Sequence, residues 1–209
     1  ESPIPIRWFT PTLEVDLCGH ATMASAKILF EHFPDIAGSE ISFSSKSGIL
    51  KVSKNAEDIC LNFPADDPEP QEMDALFAEA LGKSPIEILR GTDDFLAVFE
   101  TEQQIQTMNP DFTKLAKINS RGVVISAPGN DVDFVSRCFF PQTGVDEDPV
   151  TGSAHTMLIP YWAKQLDKIE FKAHQLSARG GALDCKLINN RVLISGKSVI
   201  YFEGMISII

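Results

Sequence analysis

The chain has 209 residues, 44% of them hydrophobic and 22% charged, the balance of one compact unit or of two small domains sharing a core. Its 29 acidic side chains outnumber 18 basic ones, for a formal charge of −11, and no basic stripe interrupts that excess, which excludes a nucleic-acid partner by repulsion. The longest apolar runs, such as 23–30, are broken by Ser and Lys well short of the ~20 residues a bilayer span needs, so no membrane crossing is expected.

Residues 4–9 read as a strand, and a turn bearing Pro11 leads into a helix over 19–33, closed by Pro34. Strands follow at 40–43, 49–52 and 59–63. The run Pro64-Ala65-Asp66-Asp67-Pro68-Glu69-Pro70 then breaks all periodicity and reads as a linker. Beyond it the pattern predicts a helix over 71–81, strands at 86–89 and 95–99, two short helices flanking Asn109-Pro110, and strands at 123–127 and 133–139. A second long helix spans 152–166, with a break or kink at Pro160, where proline removes a backbone donor. Strands at 171–177 and 183–187 come next, a hairpin at Asn189-Asn190 leads into 192–195, and a final strand ends the chain.

Two strand sets, each with one long helix, predict an α+β architecture of two similar halves, each a sheet wrapped around a central helix. The division falls at an N-terminal half, 1–68, to which 198–209 returns, and a C-terminal half, 69–197. The helix starts echo each other, since Cys18-Gly19-His20-Ala21-Thr22 and Thr151-Gly152-Ser153-Ala154-His155 both place a glycine-led turn before an apolar helix. Cys18, Cys60, Cys138 and Cys185 lack CxxC spacing, and three of them sit in apolar strand-like runs, as free thiols in a reducing, cytoplasmic setting do. Glu1-Ser2-Pro3 has neither an initiator Met nor the features of a signal peptide, so the start reads as a cut.

A glycine in a first helical turn bares backbone N–H groups that lack intrahelical partners, and the helix dipole favours an anion there. Two such turns could clamp one carboxylate-bearing ligand, although a structural cap explains either turn alone. Before the second turn lies Asp146-Glu147-Asp148-Pro149, which makes Asp148 a candidate acid or base; its alternative is a carboxylate attracted by the dipole. His20 can relay a proton near neutrality, whereas His32 and His174 read as surface or packing residues and His155 as either.

Three blocks carry a family resemblance. They are Arg7-Trp8-Phe9-Thr10-Pro11 with Glu14-Val15-Asp16-Leu17-Cys18-Gly19-His20-Ala21-Thr22, then Ser136-Arg137-Cys138-Phe139 running on through Gly144 to Glu147-Asp148-Pro149-Val150-Thr151-Gly152-Ser153-Ala154-His155, and Gln175-Leu176-Ser177-Ala178-Arg179-Gly180-Gly181. In this order they resemble the PhzF-like family, named for its phenazine-biosynthesis member. The resemblance implies a diaminopimelate-epimerase-like fold with the active site in the cleft between halves, a C-terminal strand returning to the first half, and no metal, nucleotide, flavin or other cofactor. It implies an isomerase that shifts a proton on a small carboxylate-bearing substrate by general acid/base chemistry. Carried over by motif, Asp148 and His20 are catalytic and Gly19, Gly152 and Ser153 bind substrate.

In the family the principal acid/base is a glutamate in a Leu-Ser-Glu-Thr block upstream of the Arg-Trp-Phe-Thr-Pro strand. No such block occurs in these 209 residues, and Glu14 matches a different position. The first half is therefore expected to be truncated and this chain alone inactive, with a homodimer or the missing N-terminal segment as its macromolecular partner. Two alternatives remain: an amino-acid epimerase or racemase using Cys18, weakened because its partner position holds Thr151, and a non-catalytic small-molecule-binding or scaffold protein.

Overall fold

The computed structural model describes residues 3–9, 14–56 and 58–205. Its elements are β1 (Ile4–Pro5), β2 (Trp8–Phe9), β3 (Glu14–Val15), α1 (Gly19–His32), α2 (Pro34–Ala37), β4 (Glu40–Ser45), β5 (Gly48–Asn55), β6 (Asp58–Pro64) and β7 (Glu69–Pro70). They continue with α3 (Ala75–Leu81), β8 (Glu87–Arg90), β9 (Asp94–Val98), α4 (Glu102–Gln106), α5 (Phe112–Leu115), β10 (Gly122–Pro128) and β11 (Phe134–Phe139). A 3-10 turn (Pro141–Thr143), α6 (Gly152–Leu166), β12 (Glu170–Gln175), β13 (Gly181–Ile188) and β14 (Arg191–Gly196) complete the set.

The fold is α+β. Its strands join in one mixed sheet of 12, in the order β1-β4-β5-β6-β14-β13-β12-β11-β10-β9-β8-β7, while β2 and β3 pair separately. The two strand sets expected from sequence are therefore continuous. Their junction is the antiparallel ladder from Arg191↔Pro64 to Gly196↔Ile59, which ties β14 to β6. The sheet encloses α1 and α6 in one shared core that includes Phe30, Leu61, Phe63, Phe134, Leu158 and Trp162. Strand β10 is buried on both faces: Val124 joins that core, while Val123, Ile125 and Ala127 face a second cluster formed with Phe77, Leu81, Ile105 and Leu115 of α3, α4 and α5.

Several sequence expectations are corrected. Residues 4–9 form two short strands, not one. Pro34 opens α2 after closing α1, because proline suits a first helical turn. Helix α3 starts at Ala75 and not near residue 71, at the point where the Asp74 side chain accepts the Leu76 N–H at 2.9 Å, and Glu69–Pro70, expected as the end of a linker, pairs with β8. Helix α6 runs unbroken through Pro160. The carbonyl that proline leaves without its usual donor is that of Thr156, and it accepts the Asp66 N–H at 2.9 Å. The presumed linker thus supplies the hydrogen bond that the helix lacks.

The hairpin turn is present, with Asn189 at φ 52°. The expected final strand is absent from residues 197–205, which carry no regular structure and leave Tyr201, Phe202 and Met205 exposed. Glu203 nevertheless reaches His32 at the end of α1, 3.1 Å away. Residues 206–209, like Thr10 and Pro11 of the first motif, lie outside the described residues. Among the described residues no helix is long and apolar enough to cross a membrane.

Candidate active site

The chain enters α1 from Cys18, extended at φ −144° and ψ 102°, and enters α6 from Thr151, also extended; neither side chain caps its helix. The two glycines that follow touch. A Cβ built on Gly19 would stand 2.8 Å from the Gly152 Cα, and one on Gly152 would stand 3.0 Å from the Gly19 Cα. No other residue type permits this approach, because the obstacle on each side is backbone. Two helix N-termini, with their unpaired amides and positive dipole ends, therefore converge.

Beside this contact lies a cavity of about 490 Å³ whose walls include all five residues singled out from sequence: Gly19, His20, Asp148, Gly152 and Ser153. Trp8, Phe9, Cys18, Arg121, Phe140 and Thr151 also line it. A larger concavity, about 830 Å³, runs along strands β5, β6, β12, β13 and β14 and contains none of the five.

His20 is exposed at the cavity, and its ring nitrogens lie 3.6 and 3.8 Å from the Cys18 Sγ. Contact with Cys18 raises the imidazole pKa above its ordinary 6.5; burial opposes this, and the nearby Asp148 charge reinforces it. The ring therefore holds a proton more readily near neutrality than a free histidine does.

Asp148 is half-buried, and a buried framework fixes it. The Thr151 hydroxyl donates to Asp148 Oδ2 at 2.5 Å. Gln175, fully buried, donates from Nε2 to the Asp148 carbonyl at 2.7 Å and to Thr151 Oγ1 at 3.2 Å, while its Oε1 accepts the Thr151 N–H at 2.8 Å. Since Gln175 supplies a donor to Thr151 Oγ1, the hydroxyl proton is directed at Asp148. The third motif therefore braces the second, and Ser177 and Gly181 extend the contact: Ser177 Oγ donates to the Pro149 carbonyl at 2.7 Å, and a Cβ on Gly181 would meet Val150 Cγ2 at 2.4 Å. The acidic cluster divides its labour. Glu147 is held by Nε and NH2 of Arg137, at 2.7 and 2.9 Å, and Asp146 is exposed.

Two histidines behave as structure. His32 lies on the surface, and His155 is wholly buried with Nδ1 2.9 Å from the Thr151 carbonyl. That geometry makes Nδ1 the donor, and burial pushes the His155 pKa down to about 4.

Sequence reasoning missed Arg121 and left Gln175 without a role. Arg121 Nε donates to Asp94 Oδ1 at 2.9 Å, its NH2 bonds Asp94 Oδ2, and NH2 also donates to Ser153 Oγ at 3.3 Å. Its guanidinium sits 5.5 Å from the Phe140 ring centroid. Burial would lower the Arg121 pKa, but pairing with the Asp93 and Asp94 carboxylates outweighs it and the net shift is upward. Nothing in the local run Asn119-Ser120-Arg121-Gly122 marks that position.

Among the described residues no group of His, Cys, Asp and Glu is placed to hold a metal ion. The site instead offers titratable groups and backbone donors around a space of small-molecule size.

The fold is of the diaminopimelate-epimerase-like class, and in this chain two helix N-termini meet beside one cavity. A family model described as phenazine biosynthesis-like protein matches residues 1–204, and the chain belongs to that family. It is 48% identical over 201 residues to an uncharacterized isomerase of Pseudomonas aeruginosa, a match covering 96% of this chain and 77% of the relative. Identity to the mouse phenazine biosynthesis-like domain-containing protein 2 is 38% over 224 residues, covering 97% and 77%.

Among solved structures, a PhzF-family protein of Enterococcus faecalis superposes with a TM-score of 0.89 at 42% identity, over 95% of this chain and 76% of that one. A hydroxyproline epimerase of Agrobacterium vitis, with trans-4-hydroxy-L-proline bound, shares the fold at a TM-score of 0.62 and 10% identity, over 94% and 68%.

Proposed function

We propose that the protein is an isomerase that moves a proton on a small carboxylate-bearing substrate held in the 490 Å³ cavity, with Asp148 and His20 exchanging the proton. The observation that carries this reading is the Gly19–Gly152 contact, which aims two helix N-termini at a space walled by two titratable groups. Substrate carboxylate lies against the helix starts, where amides and dipoles stabilise negative charge. As a carbon-bound proton leaves, the charge that develops spreads towards the same donors, so they hold the transition state more strongly than the ground state. Asp148, oriented by Thr151, and His20, able to donate near neutrality, supply the two ends of the transfer.

The epimerase alternative requires the Thr151 hydroxyl to act as an acid opposite Cys18. That hydroxyl is committed to Asp148, which weighs against it.

The test uses the protein as its gene encodes it, incubated in D2O with cyclohexadiene carboxylates while NMR follows deuterium entering carbon positions. Asp148→Asn should keep the wild-type melting temperature and slow incorporation by ~10²–10⁴-fold, the usual contribution of one acid/base group. Incorporation at the wild-type rate would remove Asp148 from the mechanism. Carboxylate binding without any incorporation in the wild type would favour the binding-module reading.

A further inference from the structure

The chain carries a formal charge of −11, yet the cavity wall holds two arginines, Arg7 and Arg121, and one carboxylate, Asp148. Arg7 is exposed and answered by Glu14, at 2.9 and 3.0 Å. Arg121 differs. Its side edge, Nε and NH2, is taken by Asp94, whose side chain is 5% exposed. On its other edge the second NH2 hydrogen goes to Ser153 Oγ, which leaves NH1 as the open end: it has no hydrogen bond among the described residues and only a long ion pair, 3.9 Å, to the exposed Asp93.

The Asp94 pair and the Phe140 ring fix the guanidinium plane, so NH1 is held in place without the entropy loss of a free arginine. The NH2 donor occupies a lone pair of Ser153 Oγ, which turns the hydroxyl hydrogen away from Arg121. Trp8, on the same wall, has a buried indole N–H without a hydrogen-bond partner among the described residues. Unanswered donors around a cavity point to an acceptor-rich ligand.

We infer that Arg121 is the specificity-determining residue of the cavity, donating to the ligand carboxylate from NH1 and, through NH2, positioning Ser153 as a second donor to it. This rests on the isomerase reading for the location of the ligand and adds which side chains select a carboxylate over a neutral group. The side edge anchored on Asp94 makes the Arg121 fork a fixed part of the wall, so a compact ammonium at the same position cannot replace it.

The probes are benzoate and its neutral isostere benzamide, titrated by NMR against the wild type, Arg121→Lys, Ser153→Ala, the double variant of these two, and Arg121→Gln/Asp94→Asn. The last removes both partners of the ion pair and leaves no buried charge unpaired, so it guards against a variant that simply fails to fold. Benzoate should shift the Gly19 and Gly152 amides of the wild type and bind Arg121→Lys roughly tenfold more weakly, the usual scale of one charge-assisted hydrogen bond. Benzamide affinity should not change. Losses from Arg121→Lys and Ser153→Ala should be less than additive, because one acts through the other.

Equal losses for benzoate and benzamide would reduce Arg121 to a structural role and overturn the inference. So would wild-type benzoate affinity in Arg121→Gln/Asp94→Asn, or no benzoate binding by the wild type. A wild type that binds benzoate through Arg121 but incorporates no deuterium into any carboxylate would leave this inference standing and sink the isomerase reading alone.

Discussion

Replacing Gly19 with alanine sets two effects of opposite sign against each other. Alanine is the better helix former by ~1 kcal/mol in a helix interior, and Gly19 has no positive φ that would forbid it. Against this, the new methyl stands 2.8 Å from the Gly152 Cα, a backbone atom that no rotamer change can withdraw. Overpacking of this kind costs ~1–3 kcal/mol, so the steric effect should win by up to about 2 kcal/mol. In a domain of this size each 1 kcal/mol lowers Tm by ~2–4 °C, which places the expected fall at up to about 8 °C.

Gly152→Ala should cost less, since its methyl has 3.0 Å and needs only a few tenths of an ångström from Gly19. Either methyl pushes the two helix starts apart, so carboxylate affinity should fall along with stability. Urea unfolding followed by circular dichroism gives the first quantity and benzoate titration the second. A Gly19→Ala protein at least as stable as the wild type, with unchanged benzoate affinity, would show that helix propensity dominates and that the close approach of the helices does not matter to the site.

Two further perturbations address the buried framework. His155, pushed down to about 4 from an ordinary 6.5, binds its proton less readily folded than unfolded, so its contribution is fully present above pH 6.5 and is lost as pH falls towards 4. Stability should drop by up to ~3 kcal/mol across that window, and the slope should be visibly shallower in His155→Gln; identical slopes in pH-dependent urea titrations would refute the assignment. Gln175→Leu strips partners from the Thr151 N–H and the Asp148 carbonyl, at ~1–3 kcal/mol for each buried group left unpaired. A loss of roughly 2–6 kcal/mol in the same measurement is expected, and less than 1 kcal/mol would mean that water satisfies both groups.

The elements that sequence made legible are those whose signals are local. Gly19 and Gly152 mark their helix starts because the chain turns there, and Asn189 marks a hairpin because its own φ is positive. The candidate site was legible in part: residues of the first two motifs line one cavity, and the third motif braces the second from outside it. What stayed hidden depends on partners distant along the chain.

Pro160 predicts a broken helix until Asp66, from the apparent linker, satisfies the Thr156 carbonyl. The single sheet depends on β14 finding β6, which no periodicity within either strand announces. Arg121 is one basic residue in an unremarkable loop, and only the fold lays Asp94 on one edge of it and Ser153 on the other.

Gln175 shows the same limit inside a recognised motif. Its side chain reaches across 24 residues to Thr151, and the geometry alone explains why a glutamine belongs there: Thr151 presents an N–H that needs an acceptor, and Asp148 a carbonyl that needs a donor. Glutamate could serve only the first and leucine neither, so the residue type follows from the pair of groups it must satisfy at once.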